Sequence, residues 1–172
     1  MSFSRLLIVS ILGMLLTMGQ ALAQTIATVD FQRALTESSK GAAAQVQLEG
    51  FFKQKQDAIA AMEQELMTKQ AEYQKQAMVL TETARQAKEA ELMQLNQAYQ
   101  QTAYSAEMEM QQTYTQMMEE LLVELRGVAE TLGKEKGFSL MLEVSNGGVV
   151  YSGPGVADVT DELIKRYDSQ GG

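Results

Sequence analysis

The chain of 172 residues contains no Cys, no His and no Trp, and it has a single Pro. The absence of Cys and His excludes disulfide bonds, zinc fingers and the usual haem and iron-sulfur ligands, and it excludes catalysis by a thiol or an imidazole. Basic side chains are also scarce, since 14 Lys and Arg stand against 22 Asp and Glu. Because nucleic-acid binding depends on a basic surface, this balance argues against a nucleic-acid partner.

The first residues have the pattern of an export signal. Arg5 is followed by a mainly apolar run from Leu6 to Met18 and by the small-x-small sequence of residues 21–23. A helix of that length rises only about 20 Å, less than the roughly 30 Å hydrocarbon core of a membrane. We therefore expect a signal peptide over residues 1–23, cleaved after Ala23, and no integral membrane span. Residues 24–172 are expected to form a single exported domain.

A long helical region dominates the rest of the chain. Residues 51–126 contain neither Gly nor Pro and are rich in Gln, Glu, Ala, Met, Lys and Leu, which have high helix propensity. One straight helix of this length would exceed about 110 Å, so we expect the chain to reverse within this region. Thr81 and Thr83 favour helix caps, and Thr83 with Gln86 has the spacing of a capping box. The pattern predicts a helical hairpin that reverses near residues 80–83.

The two predicted arms of this hairpin occupy residues 39–136. Each has apolar residues at steps of three and four, the spacing of a helix face that packs on a partner. The seam of the first arm, residues 39–80, is interrupted by Lys55 and Lys69, whereas the second arm, residues 83–136, has a more continuous apolar seam. The periods of the two seams differ, so we expect arms that pack loosely and flex.

Short β-like segments flank the arms. Ile26 to Val29 predicts one strand, and residues 138–144 and 148–151 predict two more. Asn146-Gly147 between the last two is a strong signal for a hairpin turn. A final helix is predicted to begin near Thr160, followed by acidic residues that suit the positive end of a helix dipole.

These flanking segments form a small body over residues 24–38 and 137–172, so the expected fold class is α+β, with a long helical hairpin inserted in a β-strand body. The body has only 51 residues. Domains of that size are marginally stable, and no disulfide can strengthen this one. We therefore expect an obligate oligomer, whose contacts would involve Ile26, Val29, Leu140, Leu142, Val149 and Tyr151.

Three segments carry a resemblance to a known family. They are IATVDFQRAL at residues 26–35, LTETARQAKEAEL at residues 80–92, and residues 147–164, which begin GGVVY and end DVTDELI. In this order they resemble the OmpH/Skp family of periplasmic chaperones. The resemblance implies a jellyfish-like homotrimer with a shared β-barrel body and three helical hairpins. It also implies that unfolded outer-membrane β-barrel proteins are held between the hairpins without ATP, in the periplasm.

The charge of the chain departs from what the family suggests. The best-known member of the family is strongly basic and is associated with lipopolysaccharide. This chain has seven Glu and no Lys or Arg from Glu89 to Leu125. The difference argues against carrying lipopolysaccharide binding over to this protein.

A stripe of apolar side chains beside the seam of the second arm is the candidate client-binding surface. At about 100° per residue, its members lie on one sector of the helix. Met is flexible and adapts to many shapes, which suits weak binding of unfolded segments. The alternative is that Met is present only as a good helix former. The stripe consists of Met93, Tyr104, Met108, Met118 and Leu122.

The leading functional hypothesis is an ATP-independent holdase chaperone. The alternative is a structural or adaptor hairpin that bridges envelope proteins and binds one folded partner. An enzyme has little support, because no cleft-forming α/β or barrel pattern is visible, and no residue pattern calls for a cofactor or a metal.

Overall fold

The computed structural model describes residues 25–170, so the expected signal peptide over residues 1–23 lies outside the described residues. No helix among the described residues is both long enough and apolar enough to span a membrane. The predicted α+β fold, a long helical hairpin joined to a small β-strand body, is confirmed. Its elements in chain order are β1 (Ile26–Val29), α1 (Phe31–Glu37), α2 (Ser39–Gln76), α3 (Glu82–Lys136), β2 (Leu140–Glu143), β3 (Ala157–Asp158) and α4 (Thr160–Ser169).

The first arm is α2, with 38 residues, and the second arm is α3, with 55 residues. Their lengths are about 57 Å and about 82 Å. The first arm begins at Ser39, as predicted, because the hydroxyl of Ser38 accepts a hydrogen bond from the backbone N–H of Gly41 at 3.1 Å. The second arm ends at Lys136, also as predicted, because Gly137 adopts a left-handed conformation with φ of 70°.

The chain reverses between the arms where the Thr residues predicted it. The first arm ends at Gln76, four residues before the predicted bound, and the second begins at Glu82. The cap is Thr81, whose hydroxyl accepts a hydrogen bond from the N–H of Ala84 at 3.3 Å. The predicted cap at Thr83 is wrong, since this residue already lies inside the first turn of the second arm.

Charged pairs connect the arms at the polar positions of the first seam. The ammonium group of Lys69 lies 2.9 Å from Glu91 Oε1, and Lys55 forms an ion pair with Glu109. Both Lys side chains are about two-thirds covered. Pairs that remain partly exposed contribute only about 0–1 kcal/mol each, so they orient the arms more than they hold them together.

The body contains a three-stranded parallel sheet of order β2-β1-β3. The central strand β1 pairs Ile26 with Leu140 and Thr28 with Leu142 on one side, and Thr28 with Asp158 on the other. Parallel pairing is possible because the arms are a long connection that returns the chain to the start of the sheet. Both outer strands have one unpaired edge within the described residues.

The predicted β-hairpin at Asn146-Gly147 is wrong, and so is the predicted strand over residues 148–151. A tight type I′ hairpin needs positive φ at both central residues, and among the described residues only Gly137 and Gly147 have it. The Glu143 carboxylate instead accepts hydrogen bonds from the backbone of Ser145, at 2.7 Å, and from the Asn146 side chain, at 3.0 Å. These bonds turn the chain away from β2, and the third strand forms later, at β3.

The core of the body lies between the sheet, the two short helices and the base of the second arm. The last turns of the second arm therefore belong to the core as well as to the hairpin. Burial of each large apolar side chain contributes about 1.5–3 kcal/mol relative to exposure. The core residues are Ala27, Val29, Ala34, Leu125, Val128, Ala129, Leu132, Val159, Leu163 and Tyr167.

A close contact between α1 and the first arm fixes the direction in which the arms leave the body. Gly41 is buried in the first turn of the first arm. A Cβ atom at this position would lie 1.6 Å from the backbone carbonyl oxygen of Leu35. Only a glycine permits this approach, so the corner between α1 and the first arm depends on the absence of a side chain at residue 41.

Candidate functional site

The hairpin has two different flanks beside its seam. One flank contains the cross-arm charged pairs of Lys40 with Glu124, Lys55 with Glu109, and Lys69 with Glu91. We call this side the charged flank. The other flank is apolar and concave. We call the depression along it the arm groove, and it is lined on its apolar surface by Leu48, Phe52, Tyr104, Met108, Tyr114 and Met118.

The arm groove extends from the body outward between the two arms. Its inner part has a volume of about 360 Å³ and its outer part about 580 Å³. Phe52 of the first arm and Tyr114 of the second line both parts, so the two are continuous. From Tyr104 to Met118 the second arm rises about 21 Å, a length that accommodates about six residues of an extended chain.

The groove brings together part of the stripe predicted from sequence. Tyr104 and Met108 line its outer part and are 67% and 54% exposed, and Met118 lines its inner part and is half-buried. Met93 is 62% exposed but lies nearer the tip, and Leu122 is half-buried nearer the body, so neither lines the groove.

Three of the groove residues also lie on the apolar three-four spacing of the arms. Leu48, Phe52 and Tyr114 fall on the periodic seam, and this period predicts burial between the arms. Leu48 is buried, but Phe52 is only half-buried and Tyr114 is 47% exposed. The feature that distinguishes Phe52 and Tyr114 from Leu48 in the sequence is their large aromatic ring. A ring at the edge of a narrow seam extends beyond the seam, so part of it stays exposed.

Two carboxylates lie on the rim of the arm groove. Glu49 lines the inner part and Glu107 the outer part, and the groove is lined by no Lys or Arg of the described residues. The nearest polar partner of Glu49 is the Gln45 amide, which donates to Glu49 Oε1 at 3.0 Å. Neither carboxylate belongs to an ion pair among residues 25–170.

A polar cluster at the base of the charged flank ties both arms to α4. Tyr167 is fully buried, and its hydroxyl donates to Glu124 Oε2 at 3.0 Å. Lys40 Nζ lies 2.9 Å from the same oxygen and 4.7 Å from the centre of the Tyr167 ring. The hydrogen bond from Lys40, followed by that from Tyr167, lowers the pKa of Glu124. Burial, followed by the contact with Glu124, raises the pKa of Tyr167.

This cluster gives a stability that depends on pH. Replacing Lys40 by Met should reduce the free energy of unfolding by about 1 kcal/mol at pH 7, a small value because Glu124 is half exposed and screened by solvent. The folded-state pKa of Glu124 is lowered below its ordinary value of 4.5, so the contribution is present above that pH and is lost as pH falls through the lowered value. Urea unfolding of the wild type and the variant at pH 7 and at about pH 3 measures the loss.

The control for this prediction is Lys53→Met, since among residues 25–170 Lys53 pairs only with the exposed Asp57 on its own helix. We expect this control to change stability by less than about 0.5 kcal/mol. A difference between the wild type and Lys40→Met that stays the same at both pH values would contradict the assigned role of Glu124.

The residues expected at an oligomer contact occupy several environments in the body. Val29 is in the core, and Ile26 is half-buried in β1. Leu140 and Leu142 are exposed on the edge strand β2. Val149 is half-buried and Tyr151 exposed, both between β2 and β3. A depression of about 430 Å³ beside β2 is lined by Phe31, Phe138 and Leu140, among others.

The arrangement of a long hairpin on a small sheet also agrees with comparison to known proteins. The profile of the family described as Outer membrane protein (OmpH-like) matches residues 25–167. The chain belongs to the OmpH-like family. The match runs from β1 to Tyr167, so it includes the sheet, both arms and the core of this OmpH-like protein.

A solved structure shares the fold of this OmpH-like protein. The crystal structure of an OmpH-like outer membrane chaperone from Caulobacter crescentus CB15 is similar to it with a TM-score of 0.78 and 18% sequence identity. The similarity covers 88% of each chain. At this identity, the likeness shows a common architecture. Comparison with curated proteins finds no match.

Proposed function

We propose that the protein is an ATP-independent holdase chaperone that binds unfolded outer-membrane proteins and prevents their aggregation. The observation that carries the proposal is the arm groove, a continuous and mainly apolar depression between two helices. Large exposed apolar surfaces on a soluble protein are typical of interaction sites. Met108 and Met118 make this surface adaptable, as binding of many unfolded segments requires. The role agrees with family membership.

The proposal includes the arrangement of the whole chain. A signal peptide over residues 1–23 directs export to the periplasm, where cleavage after Ala23 leaves a domain with its body at residues 24–38 and 137–172 and its arms at residues 39–136. Three copies assemble through their bodies, so that three hairpins surround a client. The unpaired edge of β2, with Leu140 and Leu142 exposed, supports assembly at the sheet, because such edges are normally covered.

Binding in this proposal involves no chemical step. Apolar contact in the groove supplies the affinity, and many weak contacts that form and break keep the client mobile. No ATP, cofactor, metal or nucleic acid takes part. Lipopolysaccharide is not a proposed ligand, because the second arm is acidic from Glu89 to Leu125.

The function is tested by dilution of a urea-denatured outer-membrane β-barrel protein into buffer with and without the mature protein, in the absence of ATP. Light scattering should fall to near the level of buffer at about one oligomer per client. Unchanged scattering at a severalfold excess would contradict the proposal. Recovery of one folded envelope protein and no unfolded clients in a pull-down would favour the adaptor function instead.

A further inference from the structure

Three glutamates of the charged flank are paired with lysines of the opposite arm, whereas in the described part of the chain the two glutamates that line the arm groove are not. On the charged flank, Glu91, Glu109 and Glu124 each lie against a Lys of the other arm. On the groove side, Glu49 and Glu107 have no such partner among residues 25–170. The apolar groove therefore carries two uncompensated negative charges, one on each arm.

The distance between these charges follows from the pairing of the arms. Lys55 pairs with Glu109, so these two residues lie at the same level along the hairpin. Measured from this level along the helix axes, Glu49 lies about 9 Å toward the body and Glu107 lies about 3 Å toward the tip. The two carboxylates are thus separated by about 12 Å along the groove. An extended chain rises about 3.3 Å per residue, so two of its residues four positions apart span the same distance.

We propose that the arm groove selects client segments in which large apolar residues are flanked by Lys or Arg, and that it disfavours acidic segments of the same apolar content. This inference rests on the proposed function and names the class of segment that the groove binds. The apolar walls contact the hydrophobic side chains, while Glu49 and Glu107 contact cations about four residues apart. Such charge complementarity affects specificity and rate of encounter more than total affinity.

Two labelled peptides test the selection. They have the central sequences Lys-Phe-Ser-Leu-Lys and Glu-Phe-Ser-Leu-Glu, with blocked ends and the same flanking glycines. Fluorescence anisotropy with the mature protein should show that the Lys peptide binds about fivefold more tightly at low salt, as expected for about 1 kcal/mol from weakly screened pairs. In about 0.5 M NaCl the ratio should fall below about twofold, because surface charges are then screened.

Matched double variants assign the selection to the groove. E49Q/E107Q removes both groove carboxylates and should abolish the preference for the Lys peptide. The control E65Q/E120Q also removes one Glu from each arm, so the net charge changes by the same amount. Neither residue lines the groove, so this variant should keep the preference for the Lys peptide. Equal loss in both variants would show that net charge alone attracts the peptide and would overturn the proposal.

Other outcomes are also decisive. Equal binding of the two peptides by the wild type, or no binding of either, would overturn the selection. The same preparation is tested for suppression of client aggregation, so failure of the selection is distinguished from failure of the holdase function. A change in oligomer mass in E49Q/E107Q would show that the groove is a contact between copies, which would also overturn the proposal.

Discussion

Replacing Gly41 by Ala is expected to reduce the free energy of unfolding by about 3 kcal/mol or more. The new Cβ atom would lie 1.6 Å from the carbonyl oxygen of Leu35, a backbone atom that cannot move without displacing α1. The gain in helix propensity from Gly to Ala is about 1 kcal/mol and does not offset this overlap. Urea unfolding followed by circular dichroism measures the change.

The matched control is Gly50→Ala, in the same helix. A Cβ atom at residue 50 has no neighbour within 4 Å, so this variant should stabilise the protein by about 0.5–1 kcal/mol. Because Gly41 also lines the arm groove, its substitution should weaken client capture in the fraction that remains folded. Equal stability of the Gly41 and Gly50 variants would show that the corner between α1 and the first arm does not constrain the fold.

Replacing both Met108 and Met118 by Gln is expected to weaken capture of an unfolded client about tenfold, equivalent to about 1.4 kcal/mol. Gln has nearly the same length and helix propensity as Met and leaves the charge unchanged, so the substitution removes apolar contact in the groove and little else. The affinity for a labelled, urea-denatured β-barrel protein is measured by anisotropy after dilution.

The control for this variant is M67Q/M78Q. Both of these residues are exposed and neither lines the groove. Helix content and oligomer mass should be unchanged in both double variants, while only the groove variant loses capture. If the control loses as much affinity as the groove variant, clients bind to exposed Met in general and the groove has no special role.

The arms could be predicted from sequence because their signals are local. The first arm begins one residue after the Ser38 cap, and the second ends one residue before Gly137, whose positive φ stops the helix. The apolar period of each seam can likewise be read from the sequence of a single arm. The arm groove could not be predicted in this way, because the position of Phe52 and Tyr114 along one groove depends on the register between the arms. That register is visible only in the structure, in pairs such as Lys55 with Glu109.

The body was predicted less well, because its sheet depends on contacts between distant segments. Asn146-Gly147 has the composition of a hairpin turn, but Asn146 does not adopt positive φ, and Glu143 binds the following loop instead. The partner of β1 on its second side is Asp158 with its neighbour Ala157, a strand of two residues too short to leave a periodic signal. Strands of that length are defined by tertiary pairing rather than by local propensity.

The central claim is that several copies, joined through their bodies, hold one unfolded client between their arms. Native mass spectrometry of the mature protein at micromolar concentration, with and without a denatured outer-membrane β-barrel protein, tests it most directly. A homotrimer is expected in both samples and, in the second, a complex of three copies with one client. A folded monomer that remains free in the presence of client would contradict it.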